Sequence, residues 1–286
     1  MTDPNASLGS SILWLREWRE QTGGPGFRIG REGQDTLVAE WDGVGRLSAS
    51  RSGAEHSLTL AEHLSEAHRD KLTNGVVRAL LLHLKGAVTL HGAAVALRGG
   101  ALVFVGRSGA GKSTMAACVC ARFGARLLAD DVVTLERRAE NYFIVPSATS
   151  HWLFPDSSEA LGFPAADQSH AKLPFAAVGR RDPSDIAGVP LRALVALRFD
   201  DEVAQPQLTS AEGLASFNVI NEGFIRFVVD SPEVALRDLD QISALSANVP
   251  TLQLVHRGSL ADLTLVAEVV GRHCDKWSAM DLRHGA

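Results

Sequence analysis

Gly106-Arg107-Ser108-Gly109-Ala110-Gly111-Lys112-Ser113 is the stretch whose residue types and spacing imply chemistry most directly. It fits Gly-x-x-x-x-Gly-Lys-Ser/Thr, a loop whose backbone N–H groups can wrap an anionic phosphate chain because glycine offers no Cβ to clash. In this pattern Lys112 reaches the β- and γ-phosphates, and the Ser113 hydroxyl is a ligand for Mg²⁺. Thr114 follows in the first turn of a helix, whose dipole adds a positive end. Only five lysines occur in the chain, Lys71, Lys85, Lys112, Lys172 and Lys276, so a lysine inside a motif is informative. With this composition an accidental match has a chance of roughly half a per cent.

Asp130-Asp131 is the second candidate, and it depends on the elements around it. Ala101–Val105 reads as a buried strand, Ser113–Phe123 as a helix stopped by Gly124, and Ala125–Ala129 as a second strand. Such a βαβ unit has parallel strands, and ligands of such sheets bind at the strands' carboxyl ends. The phosphate loop leaves one of those ends and Asp130-Asp131 leaves the other, so both acids are expected near the γ-phosphate. Two adjacent carboxylates there suit two tasks, holding Mg²⁺ and accepting a proton from an attacking hydroxyl. His91 lies in the extended run Ala87–Leu97. If Gly99-Gly100 forms a two-residue hairpin turn, His91 falls opposite Ser108. A core imidazole and one that orients an acid or touches phosphate are both open readings.

The rest of the chain must position these groups. Residues 11–20 read as a short helix with Trp14 and Trp18 on one face. Short extended runs at Thr36–Trp41 and Arg46–Ser50 follow, and a helix spans about 60–85. Residues 1–86 are thus expected to form a small α+β lobe, and 87–286 the catalytic domain. Beyond Val145, Pro-containing loops alternate with short elements. Leu191–Phe199 and Leu252–Val255 are expected strands and Leu260–Cys274 a closing helix.

Composition narrows the function class. The chain has 286 residues, 28 basic against 33 acidic, for a formal charge of −5. That balance argues against broad nucleic-acid binding, which needs many phosphate contacts. No apolar run reaches the ~18–20 residues of a membrane helix. No cationic secretory start is seen, so a cytoplasmic protein is expected. The cysteines, Cys118, Cys120 and Cys274, have neither disulfide nor zinc spacing and read as small core residues.

Thr89-Leu90-His91-Gly92, then Gly106–Ser113, then Leu127-Leu128-Ala129-Asp130-Asp131 together resemble the catalytic domain of HPr serine kinase/phosphorylase. The close match covers about 45 residues. The resemblance implies an α/β fold with a P-loop core like that shared by HPr kinase and phosphoenolpyruvate carboxykinase, here with the small β-rich N-terminal lobe. It implies Asp130 as general base, His91 and Asp131 in support, and metal held by Ser113 and Asp131. Thr114 stands where the bifunctional enzymes usually carry Glu, and the family's later Glu-x-Arg-Gly signature is not visible. Ser150-His151-Trp152-Leu153-Phe154-Pro155-Asp156-Ser157, Ala160-Leu161-Gly162 and Lys172 resemble the HPr-kinase-related proteins of modified ribosomal peptides, lasso peptides above all. That branch phosphorylates a serine of its precursor peptide.

The expected activity is therefore transfer of the γ-phosphate of ATP, with Mg²⁺, to a serine of a precursor peptide or small carrier protein. A kinase/phosphorylase of an HPr-like carrier and a non-catalytic nucleotide-binding regulatory module are the rivals. No nucleic-acid or membrane partner is expected, and a homo-oligomer is left open. Lys172 is expected as a solvated loop charge, with a phosphate or substrate contact as the alternative. Trp152 and Phe154 are expected in the core rather than in a peptide groove. Arg180, Arg181 and Arg226 are unranked candidates to stabilise the transferring group.

Overall fold

The computed structural model describes residues 11–18, 26–97, 99–148, 150–163, 172–177 and 187–284. Five strands come first, β1 (Ile12–Trp18), β2 (Phe27–Glu32), β3 (Thr36–Trp41), β4 (Gly45–Ser50) and β5 (His56–Leu60). They pair in chain order as an antiparallel sheet. The helix expected over 11–20 is therefore a strand. A spacing of four is even, so Trp14 and Trp18 suit a period of 2 as well as one of 3.6. Pairing with β2 decides between them. Trp18 stacks on Phe27 and Phe27 on Trp41, while the Arg28 guanidinium lies 4.0 Å over Trp14.

The helical stretch that follows begins at Glu66, capped by Ser65, whose side chain accepts from the His68 amide. It comprises α1 (Glu66–Asp70), a π-helical segment Lys71–Val77, and α2 (Arg78–Leu84). The core of this region, with Ile29, Leu47 and Leu80 fully buried, also takes in Phe227 and Val228 from far along the chain.

A mixed seven-stranded sheet forms the rest of the framework. Its strands are β6 (Val88–Leu97), β7 (Gly100–Val105), β8 (Arg126–Arg138), β9 (Asn141–Val145), β12 (Val189–Phe199), β13 (Gln207–Ala211) and β14 (Thr251–His256), ordered β13-β14-β12-β7-β6-β8-β9. Between β9 and β12 a separate pair forms, β10 (Ser150–Leu153) with β11 (Leu173–Ala176). The expected parallel relation of β7 and β8 holds, but β6 lies between them, antiparallel to both. Gly92 makes that insertion feasible: a Cβ there would sit 2.6 Å from the Phe104 carbonyl oxygen.

Among the described residues the further α-helices are α3 (Lys112–Phe123), α4 (Pro155–Ala160), α5 (Leu214–Gly223), α6 (Pro232–Asn248) and α7 (Leu263–His284). Period-2 alternation splits the central strands between two cores. Val95, Leu102 and Phe104 face α3 and α7, with Met115, Val119, Val266 and Val270. Ala94, Val103 and Val105 face α5 and α6, with Ile220, Ile242 and Leu245. The three cysteines are buried, and burial pushes the Cys118 and Cys120 thiols up to about 11 and 12. No described helix is long and apolar enough to cross a membrane.

Candidate functional site

The Gly106–Ser113 loop connects β7 to α3. Gly106 has φ 144° with its Cβ position 3.0 Å from the Leu197 carbonyl oxygen, so a side chain would be both strained and obstructed. Arg107, Ser108 and Gly109 are exposed, whereas Ala110, Lys112 and Ser113 are buried and Gly111 and Thr114 partly so. Gly111 caps α3 at φ 79° with no side-chain hydrogen bond to the first turn. The first-turn amides therefore receive no side-chain cap from it, and such amides can donate to an anion. Lys112 Nζ donates to the carbonyls of Gly106 at 3.0 Å and Arg107 at 2.8 Å. Burial and the neighbouring Lys172 bring its pKa down to about 8. Thr114 Oγ1 donates to Ser157 Oγ at 3.2 Å, tying the loop's helix to α4.

Both acids reach the loop by a route different from the expected one. They are not at a strand's end: β8 runs straight through them, pairing Asp130 with Ala93 and Asp131 with Gly92. Neighbouring residues of a regular strand point to opposite faces. Here Asp131 has φ 66°, a left-handed kink that aspartate tolerates better than most residues. The kink lets both carboxylates serve one site. Asp130 Oδ1 accepts from Ser113 Oγ at 2.8 Å and from the Asp131 amide at 3.0 Å, and Oδ2 accepts from the Trp152 amide at 3.3 Å.

Two lysines face Asp131. Lys71 Nζ lies 2.5 Å from Oδ2 and Lys172 Nζ 3.7 Å from Oδ1. Lys172 Nζ is also 3.4 Å from Ser113 Oγ, so the solvated-loop reading of Lys172 gives way. Burial and the charge of Asp131 push the Asp130 carboxyl up to about 6. Burial alone would raise Asp131 too, but Lys71 and Lys172 outweigh it and hold this group near about 2. The pair thus divides into a carboxyl that exchanges protons near neutrality and a permanently ionised one.

His91 sits beside the acids, though not as the hairpin arithmetic had it. Leu97 pairs with Gly100, which places His91 two residues off the expected register, and its β8 partner is Val132. Its Nδ1 is 3.0 Å from the Asp131 carbonyl oxygen. A carbonyl only accepts, so Nδ1 carries the proton and Nε2 of the neutral ring is the acceptor. Burial, then Lys112, lower its pKa and keep it neutral. His91 therefore pins the kinked residue.

Lys71 is the residue that sequence reasoning missed. It opens the π-helical segment, a feature common at functional sites, and its Nζ also lies 4.4 Å over the Trp152 ring. His68 meets the same ring edge-on at 4.9 Å. The available signal was scarcity: three of the five lysines, Lys71, Lys112 and Lys172, converge here. Trp152 is buried as expected, but Phe154 is 41% exposed, with Lys172 Nζ 5.7 Å over its ring. Arg226 donates to Asn221 and lies over Phe224. Arg180 and Arg181 lie outside the described residues.

The chemistry of the donor set fits its expected occupants. Three ammonium groups and a helix N-terminus suit a polyphosphate. A hydroxyl and two carboxylates are hard oxygen donors of the kind Mg²⁺ takes. Neither a protein-family model nor a curated protein matches this chain. Among solved structures it is similar to the HPr(Ser) kinase/phosphatase from Coxiella burnetii, at 12% identity over 66% of this chain and 97% of that one. The TM-score is 0.35, and a likeness at that level carries no argument about activity.

Proposed function

We propose that this protein is an ATP-dependent phosphotransferase acting on a serine hydroxyl of a peptide or small protein. The observation that carries the reading is the bond from Ser113 to Asp130, which joins the phosphate loop to a raised-pKa carboxyl inside a ring of three lysines. Lys112 and the first-turn amides of α3 hold the β- and γ-phosphates, and Lys172 neutralises charge on the transferring group. Ser113 and Asp131 would hold Mg²⁺, which would supply further charge neutralisation. Asp130 accepts the serine proton as the hydroxyl oxygen bonds to the γ-phosphorus, the bond to the β,γ-bridging oxygen breaks and ADP leaves. Within the acceptor class, the resemblance of residues 150–172 to kinases of modified ribosomal peptides makes a lasso-type precursor the first candidate. The exposed Phe154 beside Lys172 offers apolar surface for such a peptide next to the acids.

Mass spectrometry of a precursor peptide incubated with ATP and Mg²⁺ is expected to show one phosphate, on serine. ATP binding that labels neither that peptide nor an HPr-like protein would support the regulatory module. Transfer of the product's phosphoryl group onto inorganic phosphate, freeing the serine and forming pyrophosphate, would support a kinase/phosphorylase.

A pH test follows from Lys71. Its charge lowers the pKa of Asp130 and of Asp131, so Lys71→Met raises both. The base then ionises at higher pH, and the acid limb of kcat/KM, which reports the free enzyme, moves in the alkaline direction. The activity deficit should be several-fold larger at pH ~5.5 than at pH ~8. Titration of ATP itself cancels in the ratio of variant to parent. A deficit uniform across pH would remove Lys71 from the electrostatics of the base.

A further inference from the structure

One group beside the loop is left unused by the transfer chemistry. Phe199, the last residue of β12, is 51% exposed. β12 runs parallel to β7 with Ala196 opposite Val105, so Phe199 extends to the level of the loop that follows β7. A Cβ on Gly111, the cap of α3, would lie 3.9 Å from Phe199 Cζ. Gly258, at φ 77°, underlies the ring: a Cβ there would meet three of its atoms at 3.0–3.3 Å. His256 meets the ring edge-on at 5.0 Å, with an interplanar angle of 89°. The His256 orientation is itself set, since Nδ1 accepts from the Gly258 amide at 3.1 Å. The aromatic plane is therefore fixed on its inner side by a bare backbone and a histidine, and open on its outer side.

Polarity of the bound phosphate chain gives this ring a role. In the sheet order, β12 adjoins β7 on one side, and β8 lies on the other side, beyond β6. The acids and two lysines stand on the β8 flank, where a terminal phosphate must lie to be transferred. The other end of the chain then leaves toward β12. We propose that Phe199 is the stacking platform for the base of the phosphate donor, which makes that donor a nucleoside triphosphate rather than an inorganic polyphosphate. The inference rests on the phosphate-loop reading above. Stacking uses the face that all bases share, so the platform holds the nucleoside without selecting its edge.

Calorimetry in Mg²⁺ with two probes, ATP and inorganic tripolyphosphate, separates the two levels. Phe199→Ala is expected to weaken ATP about tenfold or more while leaving tripolyphosphate within about twofold, and Phe199→Tyr to restore ATP to within about threefold of the parent. Retained tripolyphosphate binding also shows that the variant is folded. The platform is overturned if the parent binds tripolyphosphate as tightly as ATP, or if Phe199→Ala leaves ATP unchanged. It is equally overturned if that variant weakens both probes alike, or if Phe199→Tyr binds ATP no better than Phe199→Ala. A parent that binds neither probe removes the phosphate-loop reading itself, and the platform with it.

Discussion

Lys112→Ala is expected to weaken ATP·Mg²⁺ binding at least tenfold. Lys112 is only 7% exposed, and its ammonium group is held by two loop carbonyls. A charge-assisted hydrogen bond of this type is worth ~1.5–3 kcal/mol, about 10- to 150-fold in affinity. Removing a buried cation also relieves its repulsion of Lys172, so protein stability should change less than ligand affinity. Comparing the dissociation constant with the midpoint of thermal unfolding checks both statements. An unchanged dissociation constant would mean that the loop is not a phosphate site.

How much of this site could be read in advance depends on how local each signal is. β7, the loop and α3 are punctuated by Gly106, Gly111 and Gly124, each with positive φ, and their boundaries follow from residue types alone. β12, β14 and α7 were legible from apolar runs. The 17-residue α6 passed unnoticed, although Ser231-Pro232-Glu233 is a capped start with proline in the first turn. The failures at Trp14 and His91 have a different origin. A spacing of four fits both periods, and a hairpin register moves by two when the turn moves by one residue. Lys71 could not be placed from neighbours at all. It lies 60 residues before Asp131, and only the packing of the helical stretch against β8 joins them. The kink at Asp131 is likewise tertiary: β8 continues its pairing with β6 on both sides of it, and His91 holds its carbonyl.

That kink underlies the sharpest distinction between the two acids. Asp130→Asn keeps the shape of the side chain and its ability to accept from Ser113, but removes the group that ionises near about 6. An amide is no comparable base, so phosphoryl transfer should fall by about 10²–10⁴, the range typical of general-base loss. ATP·Mg²⁺ binding should stay within a few-fold, because Lys112 and the loop amides are untouched. Asp131→Asn removes the ionised partner of Lys71 and Lys172. Without that charge the two ammonium groups are drawn instead toward the phosphates, so metal-free nucleotide should bind no more weakly. Metal-dependent binding should weaken together with the rate, since a hard anionic ligand is lost. Calorimetry with and without Mg²⁺, beside a phosphopeptide assay, reads both variants. Near-normal transfer by Asp130→Asn would show that the base lies elsewhere. If the two phenotypes exchanged places, Asp131 would be the base despite its low pKa, with Asp130 and Ser113 together holding the metal.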